Sequence, residues 1–295
     1  MPPVPARAET TDVNETDSAK GYEDRISRVI EYVFDHLDED LDLNRLADVA
    51  CLSPHHWHRV YSAMRGETIA ATVKRLRLNR AAAFLAQTSM TVDAIAKRSG
   101  YPNVQSFTRI FSAVYGMPPA TYRKRGSHTQ FQLPARNSGG IMYDVKIATL
   151  PPMTAITVLH IGPYMEINKA FGTLFGILGS KGLLGPDVRS FGIFYDDVST
   201  VPAAKLRSRA AAIMDRAVDV EPPLERTEIV GGEYVVLRHK GPYSDMKAAY
   251  EWLYGQWLPS SGRVPRDAAG LEEYLNDPRD TPPGELLSDI YIPLA

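Results

Sequence analysis

Two helix-turn-helix patterns in the N-terminal half of the sequence constrain the fold more than any other feature. In the downstream pattern, Val92 to Lys124, Gly100 can adopt the positive φ of a turn and Asn103 can cap the helix that follows. Apolar residues then recur at helical spacing. This inward stripe consists of Val104, Phe107, Phe111, Val114 and Tyr115. The spacing predicts that Gln105 and Arg109 lie on the outward side of the second helix.

The upstream pattern repeats this arrangement. A short helix through Ala50 precedes a turn at Cys51, and a second helix begins at Ser53 or Pro54. The residues that point inward by spacing are Trp57, Val60, Tyr61 and Met64. The residues that point outward include His55, His58 and Arg59. A polar outer face is usually only solvated, but two such units in one chain favour a monomer that contacts duplex DNA at two places.

The charge is divided unevenly along the chain. Residues 43–126 contain 13 Lys and Arg against 3 Asp and Glu, a net charge of +10, whereas the whole chain carries −2 and the remainder therefore −12. Because the basic segment coincides with both helix-turn-helix patterns, it predicts a polyphosphate partner, double-stranded DNA.

A single helix is predicted between the two units, from Thr68 to about Thr88. At 1.5 Å per residue it is roughly 30 Å long, close to the roughly 34–36 Å between successive major-groove faces. Lys74, Arg75 and Arg77 on this helix are candidate phosphate contacts. Solvated charges or internal salt bridges are an equally good interpretation of each.

Residues from about Arg25 to Lys124 resemble the AraC family of bacterial transcription regulators. The resemblance is carried by LADVACLSPHHWHRVYSAMRGET, RLRLNRAAAFL and IAKRSGYPNVQSFTRIFSAVYGMPPATYRK. It implies an all-α domain, residues 21–125, in which a long helix joins two helix-turn-helix units. The candidate base contacts are His55, His58, Arg59, Gln105 and Arg109.

The segments around this domain predict a simple organisation. Residues 1–20 are poor in large apolar side chains and are expected to form a disordered tail, and residues 126–142 are rich in turn formers and are expected to be a linker. The single cysteine excludes an internal disulfide and a cysteine-rich zinc site. No apolar run approaches the roughly 20 residues of a membrane span, and the start lacks a signal-peptide core, so we expect a cytoplasmic protein. The sequence indicates neither a metal site nor a cofactor.

From Tyr143 onward the pattern changes to strand-like alternation and contains an internal repeat. VLHIGPY, which ends at Tyr164, returns as VLRHKGPY, which ends at Tyr243, with His160 matching His239. A helical pattern follows each copy. The domain, residues 143–295, is therefore predicted to be α+β, with two pseudo-twofold ββαββ repeats.

Extending the repeat at a constant offset matches Tyr195 with Tyr274. Alternation then places Glu272 beside Tyr274 on one strand face, and we expect a cleft between the two copies. The aromatic residues predicted to surround Glu272 are Tyr195, Tyr274, Trp252, Trp257 and Tyr291. A carboxylate among aromatic rings suits a cationic or amphipathic aromatic ligand. An exposed strand carboxylate or a local ion pair is the alternative for Glu272.

Residues from about Tyr143 to Ala295 resemble the GyrI-like small-molecule-binding domains. The resemblance is carried by LHIGPY, FGIFYDD, HKGPY, LEEYLNDP and SDIYIPL, and it implies that Glu272 lies in the ligand site with Tyr274 beside it. The order of the two domains resembles a regulator of the Rob type.

Two classes of function follow from these features. The first is a sequence-specific transcription regulator, expected to be an activator that also contacts RNA polymerase and binds a small amphipathic or cationic aromatic effector. The second is a hydrolase of strained electrophiles, since Glu272 with a neighbouring tyrosine could position water. No diagnostic nucleophile and base pair supports a catalytic assignment, so we expect no enzyme. A C-terminal domain that binds only proteins is a further alternative.

Overall fold

The computed structural model describes residues 11–125, 143–216 and 218–295. The chain divides into two compact units. Among the described residues, the helical unit comprises 22–51 and 65–125, and the mixed unit comprises 11–21, 52–64, 143–216 and 218–295. Segment 52–64, which carries the second helix of the upstream pattern, therefore groups with the C-terminal residues and not with the rest of the expected 21–125 domain. The expected linker and residues 1–10 lie outside the described residues.

Seven helices form in the N-terminal part of the described chain. They are α1 (Thr11–Asp35), α2 (Leu43–Ala50), α3 (Pro54–Arg65), α4 (Ile69–Gln87), α5 (Val92–Arg98), α6 (Val104–Tyr115) and α7 (Pro119–Arg125). Residues 11–20, which belong to the expected disordered tail, form the first part of α1. Low apolar content argues against tertiary packing, but a helix nucleated downstream can extend through local hydrogen bonds alone.

The helical unit confirms the turn chemistry of the downstream pattern. Gly100 has φ +72°, and the Asn103 side chain accepts a hydrogen bond from the Ser106 amide at 2.8 Å, which caps α6. The apolar side of α6 packs against α4, α5 and α7. The buried residues of this core are Leu78, Ala81, Ala82, Leu85, Ile95, Ala96, Tyr101, Phe107, Phe111 and Tyr122.

The mixed unit is built on an eight-stranded antiparallel sheet. Its strands are β1 (Asp144–Leu150), β2 (Met153–Ile161), β3 (Arg189–Phe194), β4 (Arg207–Ile213), β5 (Glu225–Ile229), β6 (Gly232–Lys240), β7 (Gly270–Tyr274) and β8 (Leu287–Pro293). The strand order is β1-β6-β8-β7-β3-β4-β2-β5. The first strand of each repeat, β1 or β5, pairs with the other repeat, so neither half of the sheet is complete without the other.

Each repeat has its helical segment between the second and third strands. In the first repeat this is α8 (Asn168–Ser180), whose Leu174 and Leu178 pack on one face of the sheet beside Val158 and Ala210. In the second repeat, α9 (Met246–Trp252) continues through a π-helical turn, Leu253–Trp257, into α10 (Leu258–Ser261). The predicted ββαββ order is thus confirmed.

The π-helical turn changes the alignment of the two repeats by one residue. Before the helices, His160 and His239 occupy equivalent positions, 79 residues apart, and each ring contacts a carbonyl three residues later. After the helices, equivalent residues are 80 apart. The side chain of Asp196 accepts a hydrogen bond from the backbone amide of Arg207, and the side chain of Asn276, 80 residues later, accepts one from the backbone amide of Leu287. A π turn accommodates one extra residue within a helix. The constant offset used for Tyr195 and Tyr274 is therefore wrong after this point.

Candidate DNA-contacting helices and candidate ligand site

Helix α6 presents the polar surface that the sequence predicts. Gln105 and Arg109 are exposed, whereas Phe107 and Phe111 on the opposite side are fully buried. The amino-terminal end of α6 is held by the Asn103 cap, which fixes the direction of its first turn. Gln105 and Arg109 are therefore free to face a partner of this unit.

The basic residues of α4 do not form one exposed set. Arg75 donates to a Glu67 carboxylate oxygen at 2.6 Å, and Arg77 donates to the carbonyls of Leu37 and Glu39 at 2.8 and 2.6 Å. These two guanidinium groups are engaged within the helical unit, so the salt-bridge and packing interpretation holds for them in this structure. Lys74 is exposed, as a phosphate contact requires.

The outward-facing position expected for His55, His58 and Arg59 is wrong in this structure. His58 is 8% exposed, and His55 and Arg59 are half-buried. Arg59 donates to the carbonyl of Asp196 at 3.0 Å and to the hydroxyl of Tyr254 at 3.4 Å. Periodicity correctly separated the two sides of α3, but it carries no information on whether the polar side is covered.

His56, which spacing did not single out, anchors the same side of α3. Its Nε2 lies 3.1 Å from the Ala268 carbonyl and its Nδ1 lies 2.8 Å from the Tyr254 hydroxyl. Because a carbonyl only accepts, Nε2 carries the proton and Nδ1 accepts from Tyr254. Burial, assisted by the nearby charge of Arg59, lowers the pKa of His56 to about 3. The ring is therefore neutral at pH 7.

Glu272 in β7 is the centre of the candidate ligand site. It pairs with Gly192, which in turn pairs with Ala210, so its side chain lies on the face of the sheet that α8 covers. Glu272 is 8% exposed, and its two carboxylate oxygens accept hydrogen bonds from Tyr250 at 2.8 Å and Tyr274 at 2.9 Å. Among the described residues it forms no ion pair. Burial raises the pKa of Glu272, and the two tyrosine hydrogen bonds and Arg59 oppose that rise.

Aromatic rings lie around the Glu272 carboxylate, but only some of the predicted aromatic residues are among them. Tyr274 makes edge contacts with Phe171 and Tyr243, at centroid distances of 5.5 and 5.3 Å. Tyr274 and Tyr250 are half-buried as whole residues. Sequence analysis missed Tyr250: its spacing places it on the same side of a helix as Tyr254, but that spacing does not indicate a contact with Glu272.

Tyr195 and Tyr291 lie on the other face of the sheet, and their assignment to the carboxylate site is wrong. Tyr291 pairs with Leu271 and donates to Glu273 at 2.6 Å, and Tyr195 packs in the same apolar cluster as Tyr291. Adjacent residues of a strand point to opposite faces. The one-residue change of alignment at the π turn therefore accounts for the wrong face of Tyr195. Tyr291 lies after the π turn, as Glu272 does, and it faces away from Glu272 because its strand partner is Leu271.

Among the described residues, neither Trp252 nor Trp257 makes a ring contact or hydrogen bond with Glu272. Trp252 lies two positions after Tyr250, on the opposite side of the helix, and its ring contacts Tyr143 at 5.3 Å. Trp257 is half-buried at the end of the π turn. Glu272, Tyr250 and Tyr274 are therefore the residues of the site that the structure brings together.

No helix among the described residues is long and apolar enough to cross a lipid bilayer. No cluster of three or more His, Cys, Asp or Glu side chains suited to a metal ion occurs in that part of the chain.

Comparison with known proteins agrees with this architecture. Residues 143–295 match the family described as GyrI-like small molecule binding domain, and residues 46–125 match a helix-turn-helix domain. The chain belongs to the GyrI-like family and is a DNA-binding transcription regulator of the AraC type, with the helix-turn-helix domain first and the small-molecule-binding domain second.

Individual relatives cover different parts of the chain. The right origin-binding protein of Escherichia coli (strain K12) is 23% identical over 248 residues, which are 81% of this chain and 86% of that protein. The uncharacterized HTH-type transcriptional regulator YbfP of Bacillus subtilis (strain 168) is 31% identical over 102 residues, and this chain spans 35% of its length. The C-terminal domain of EcmrR has a similar structure, with a TM-score of 0.44 at 17% identity over 52% of this chain and 99% of that one.

Proposed function

We propose that this regulator activates transcription in response to a cationic, amphipathic aromatic effector that binds at Glu272. The observation that carries the proposal is a buried carboxylate with no ion pair among the described residues, bonded by Tyr250 and Tyr274. A buried negative charge without a countercharge is costly, and a cation held against aromatic faces would offset that cost. Because tyrosine hydroxyls occupy both carboxylate oxygens, this geometry supports ligand binding better than activation of a water molecule.

The effector class is tested by calorimetric titration of the whole chain with tetraphenylphosphonium. Glu272→Gln should lower the affinity for this lipophilic cation at least tenfold. Glu273→Gln is the matched control, since it removes one charge from the next residue of the same strand on the opposite face, and it should bind like the wild type. Equal binding by wild type and Glu272→Gln would refute the role of the carboxylate, and absence of any saturable binding would favour a C-terminal domain that binds only proteins.

For DNA, we propose that α6 contacts bases through Gln105 and Arg109 and that Lys74 contacts a phosphate. The exposure of these three side chains supports this assignment. The bases read by α3 would be contacted by His55, His58 and Arg59, which requires Arg59 to leave the partners described above and the two histidines to become exposed. Arg75 and Arg77 contribute by holding the helical unit together.

Base and phosphate contacts are separated by comparing Arg109→Ala with Lys74→Ala on a panel of duplexes. Arg109→Ala should relax the preference at one base position by about 1–3 kcal/mol, whereas Lys74→Ala should weaken all duplexes alike and reduce the salt dependence. A uniform loss from both variants would refute the base contact of Arg109.

We further propose that the regulator acts as a monomer and contacts RNA polymerase. The two helix-turn-helix patterns within one chain support a monomer. In transcription with purified polymerase from a promoter that carries the selected site, added regulator should increase the transcript. Repression, or sedimentation of the DNA complex with two regulator chains per site, would contradict this part of the proposal.

A further inference from the structure

The side of α3 that the sequence assigns to DNA is the side that contacts the C-terminal part of the mixed unit. His56 bonds to Tyr254 and to the Ala268 carbonyl, and Arg59 bonds to Tyr254 and to the Asp196 carbonyl. These contacts are polar and directional, with most of their distances between 2.8 and 3.1 Å. A recognition helix held in this way cannot place the same side chains against base edges.

Arg59 is also a cation beside the candidate ligand site, where its charge opposes the rise that burial causes in the pKa of Glu272. Its guanidinium carbon lies 5.8 Å from the ring centroid of Tyr250 and 5.7 Å from that of Tyr254, within the range of cation–π attraction. The Tyr250 hydroxyl in turn donates to Glu272 at 2.8 Å. Arg59 forms no ion pair with Glu272, so the phenol of Tyr250 separates the two charges.

The helical segment of the second repeat supplies both tyrosines that contact Arg59. Tyr250 lies in α9 and Tyr254 in the π turn, and both rings face Arg59. The first repeat has a continuous α-helix at the same place. The extra residue in the second repeat is thus located where α3 meets the aromatic rings. Insertions of this type occur frequently at functional sites.

We propose that Arg59 is a resident cation of the effector site, and that a cationic effector and the docked α3 helix exclude each other. The effector replaces the guanidinium on the tyrosine rings and adds the direct contact with Glu272 that Arg59 does not make. Displacement of Arg59 removes one of the two side chains that hold α3, and release of His56 with it frees the helix for the major groove. The inference rests on the proposed function for the identity of the effector, but the docking of α3 is independent of it.

This exclusion makes effector binding and DNA binding cooperative. Only the undocked form binds DNA through α3, so the apparent affinity for DNA is reduced by the docked fraction. An effector that binds only the undocked form removes that reduction. By linkage, the factor by which effector tightens DNA binding equals the factor by which DNA tightens effector binding.

The docking is tested first without any effector. Tyr254→Phe removes the hydroxyl that bonds to both Arg59 and His56, and it leaves Glu272 and every candidate DNA contact in place. It should tighten binding to a duplex retained by the wild type from a genomic library by roughly tenfold, the factor expected from loss of one or two hydrogen bonds. Tyr234→Phe is the matched control: it removes a buried hydroxyl that bonds to the Val230 carbonyl on the other side of the sheet. Its DNA affinity should equal that of the wild type.

An unchanged or weaker DNA affinity for Tyr254→Phe overturns the docking. A similar gain by Tyr234→Phe also overturns it, because the gain would then reflect general loosening of the domain.

The competition is tested with tetraphenylphosphonium. Arg59→Met removes the resident cation while keeping a side chain of similar length, and it should tighten binding of this cation by roughly tenfold. Arg65→Met is the control, since Arg65 belongs to the same helix but pairs with Glu23. In the wild type, the cation should also tighten duplex binding, whereas neutral triphenylphosphine oxide should not.

The outcomes separate the two proposals. Equal, measurable affinities for wild type and Arg59→Met overturn the competition and leave the effector site standing. If neither protein binds the cation, the proposed effector class is wrong and the competition falls with it. In that case, tighter DNA binding by Tyr254→Phe still establishes that α3 is held by the C-terminal residues.

Discussion

Glu272 and Gly192 are direct partners across the antiparallel β3–β7 pair, where the two repeats meet at the middle of the sheet. A Cβ atom on Gly192 would lie 2.6 Å from the ring of Phe194 and 3.0 Å from the Tyr274 hydroxyl. The missing side chain therefore provides the space in which Tyr274 reaches Glu272. One repeat supplies the carboxylate and the other supplies the room beside it.

Replacement of this glycine should damage the site. Gly192→Ala forces the buried Phe194 ring or the Tyr274 hydroxyl to move, and overpacking of this kind costs about 1–3 kcal/mol. All three tryptophans, Trp57, Trp252 and Trp257, lie in the mixed unit, so the urea transition followed by tryptophan fluorescence reports its stability. We expect a lower midpoint together with weaker binding of tetraphenylphosphonium.

The control is a glycine with free space around it. Gly176 is exposed within α8, and a Cβ atom there meets no atom within 4 Å. Gly176→Ala should raise the stability of the mixed unit by about 0.5–1 kcal/mol, because glycine is unfavourable inside a helix. An equal loss of stability in both variants would show that the space at Gly192 has no special role.

Charge removal at Glu272 should stabilise the protein in a pH-dependent way. Burial raises the pKa of Glu272, so the folded state binds its proton more tightly than the unfolded state does. Above this raised pKa the ionised carboxylate lowers the free energy of unfolding. This loss of stability disappears as the pH falls through the folded-state pKa of Glu272 towards the ordinary value of 4.5. In the Glu272→Gln variant the amide can still bond to both tyrosine hydroxyls, since a hydroxyl donates or accepts.

Glu272→Gln should therefore have a higher urea midpoint than the wild type at pH 7, and the difference should vanish near pH 4.5. A lower midpoint at pH 7 would mean that the carboxylate stabilises the fold and is not kept for a ligand.

The sequence predicted both helix-turn-helix patterns and the repeat because these depend on local chemistry. Gly100 and Asn103 specify a turn and a cap by their own conformational preferences, and His160 and His239 repeat a local bond to the following GPY segment. The position of Tyr195 could not be predicted in the same way. It depends on one residue added in the π turn, and a shift of one residue reverses the face of every later strand residue.

The covered side of α3 illustrates a second limit. The spacing of apolar residues distinguishes two sides of a helix but does not reveal which partners meet the polar one. From the sequence, Arg59 fits equally well as a base contact or as a hydrogen-bond donor to Tyr254 and to the Asp196 carbonyl. Asp196 is 137 positions away from Arg59 in the sequence. Only the tertiary structure reveals that contact.

The basic residues of α4 should separate into structural residues and DNA-contacting residues. Arg77 donates to two carbonyls after α1 and fills the space beside Gly100, so Arg77→Met should lower the stability of the helical unit by about 1.5–3 kcal/mol. Lys74→Met removes the same charge from an exposed position and should change stability by less than about 0.5 kcal/mol. Amide hydrogen exchange in α4 and α5 measures both effects. If Lys74→Met proves as destabilising as Arg77→Met, the structural role of Arg77 is not specific.

Cys51 and Gly116 end α2 and α6 in the same left-handed conformation, with φ of +51° and +70°. Cys51 is exposed, so it is not held there by packing of its side chain. A left-handed conformation costs a residue with a Cβ about 1–2 kcal/mol, and glycine avoids that cost while losing about 0.5–1 kcal/mol more chain entropy on folding. Cys51→Gly should therefore stabilise the N-terminal helices by about 0.5–1 kcal/mol, and Gly116→Ala should destabilise them by about 1 kcal/mol. Urea unfolding followed by far-ultraviolet circular dichroism should give shifts of opposite sign, and shifts of the same sign would show that these turns are limited by something other than backbone conformation.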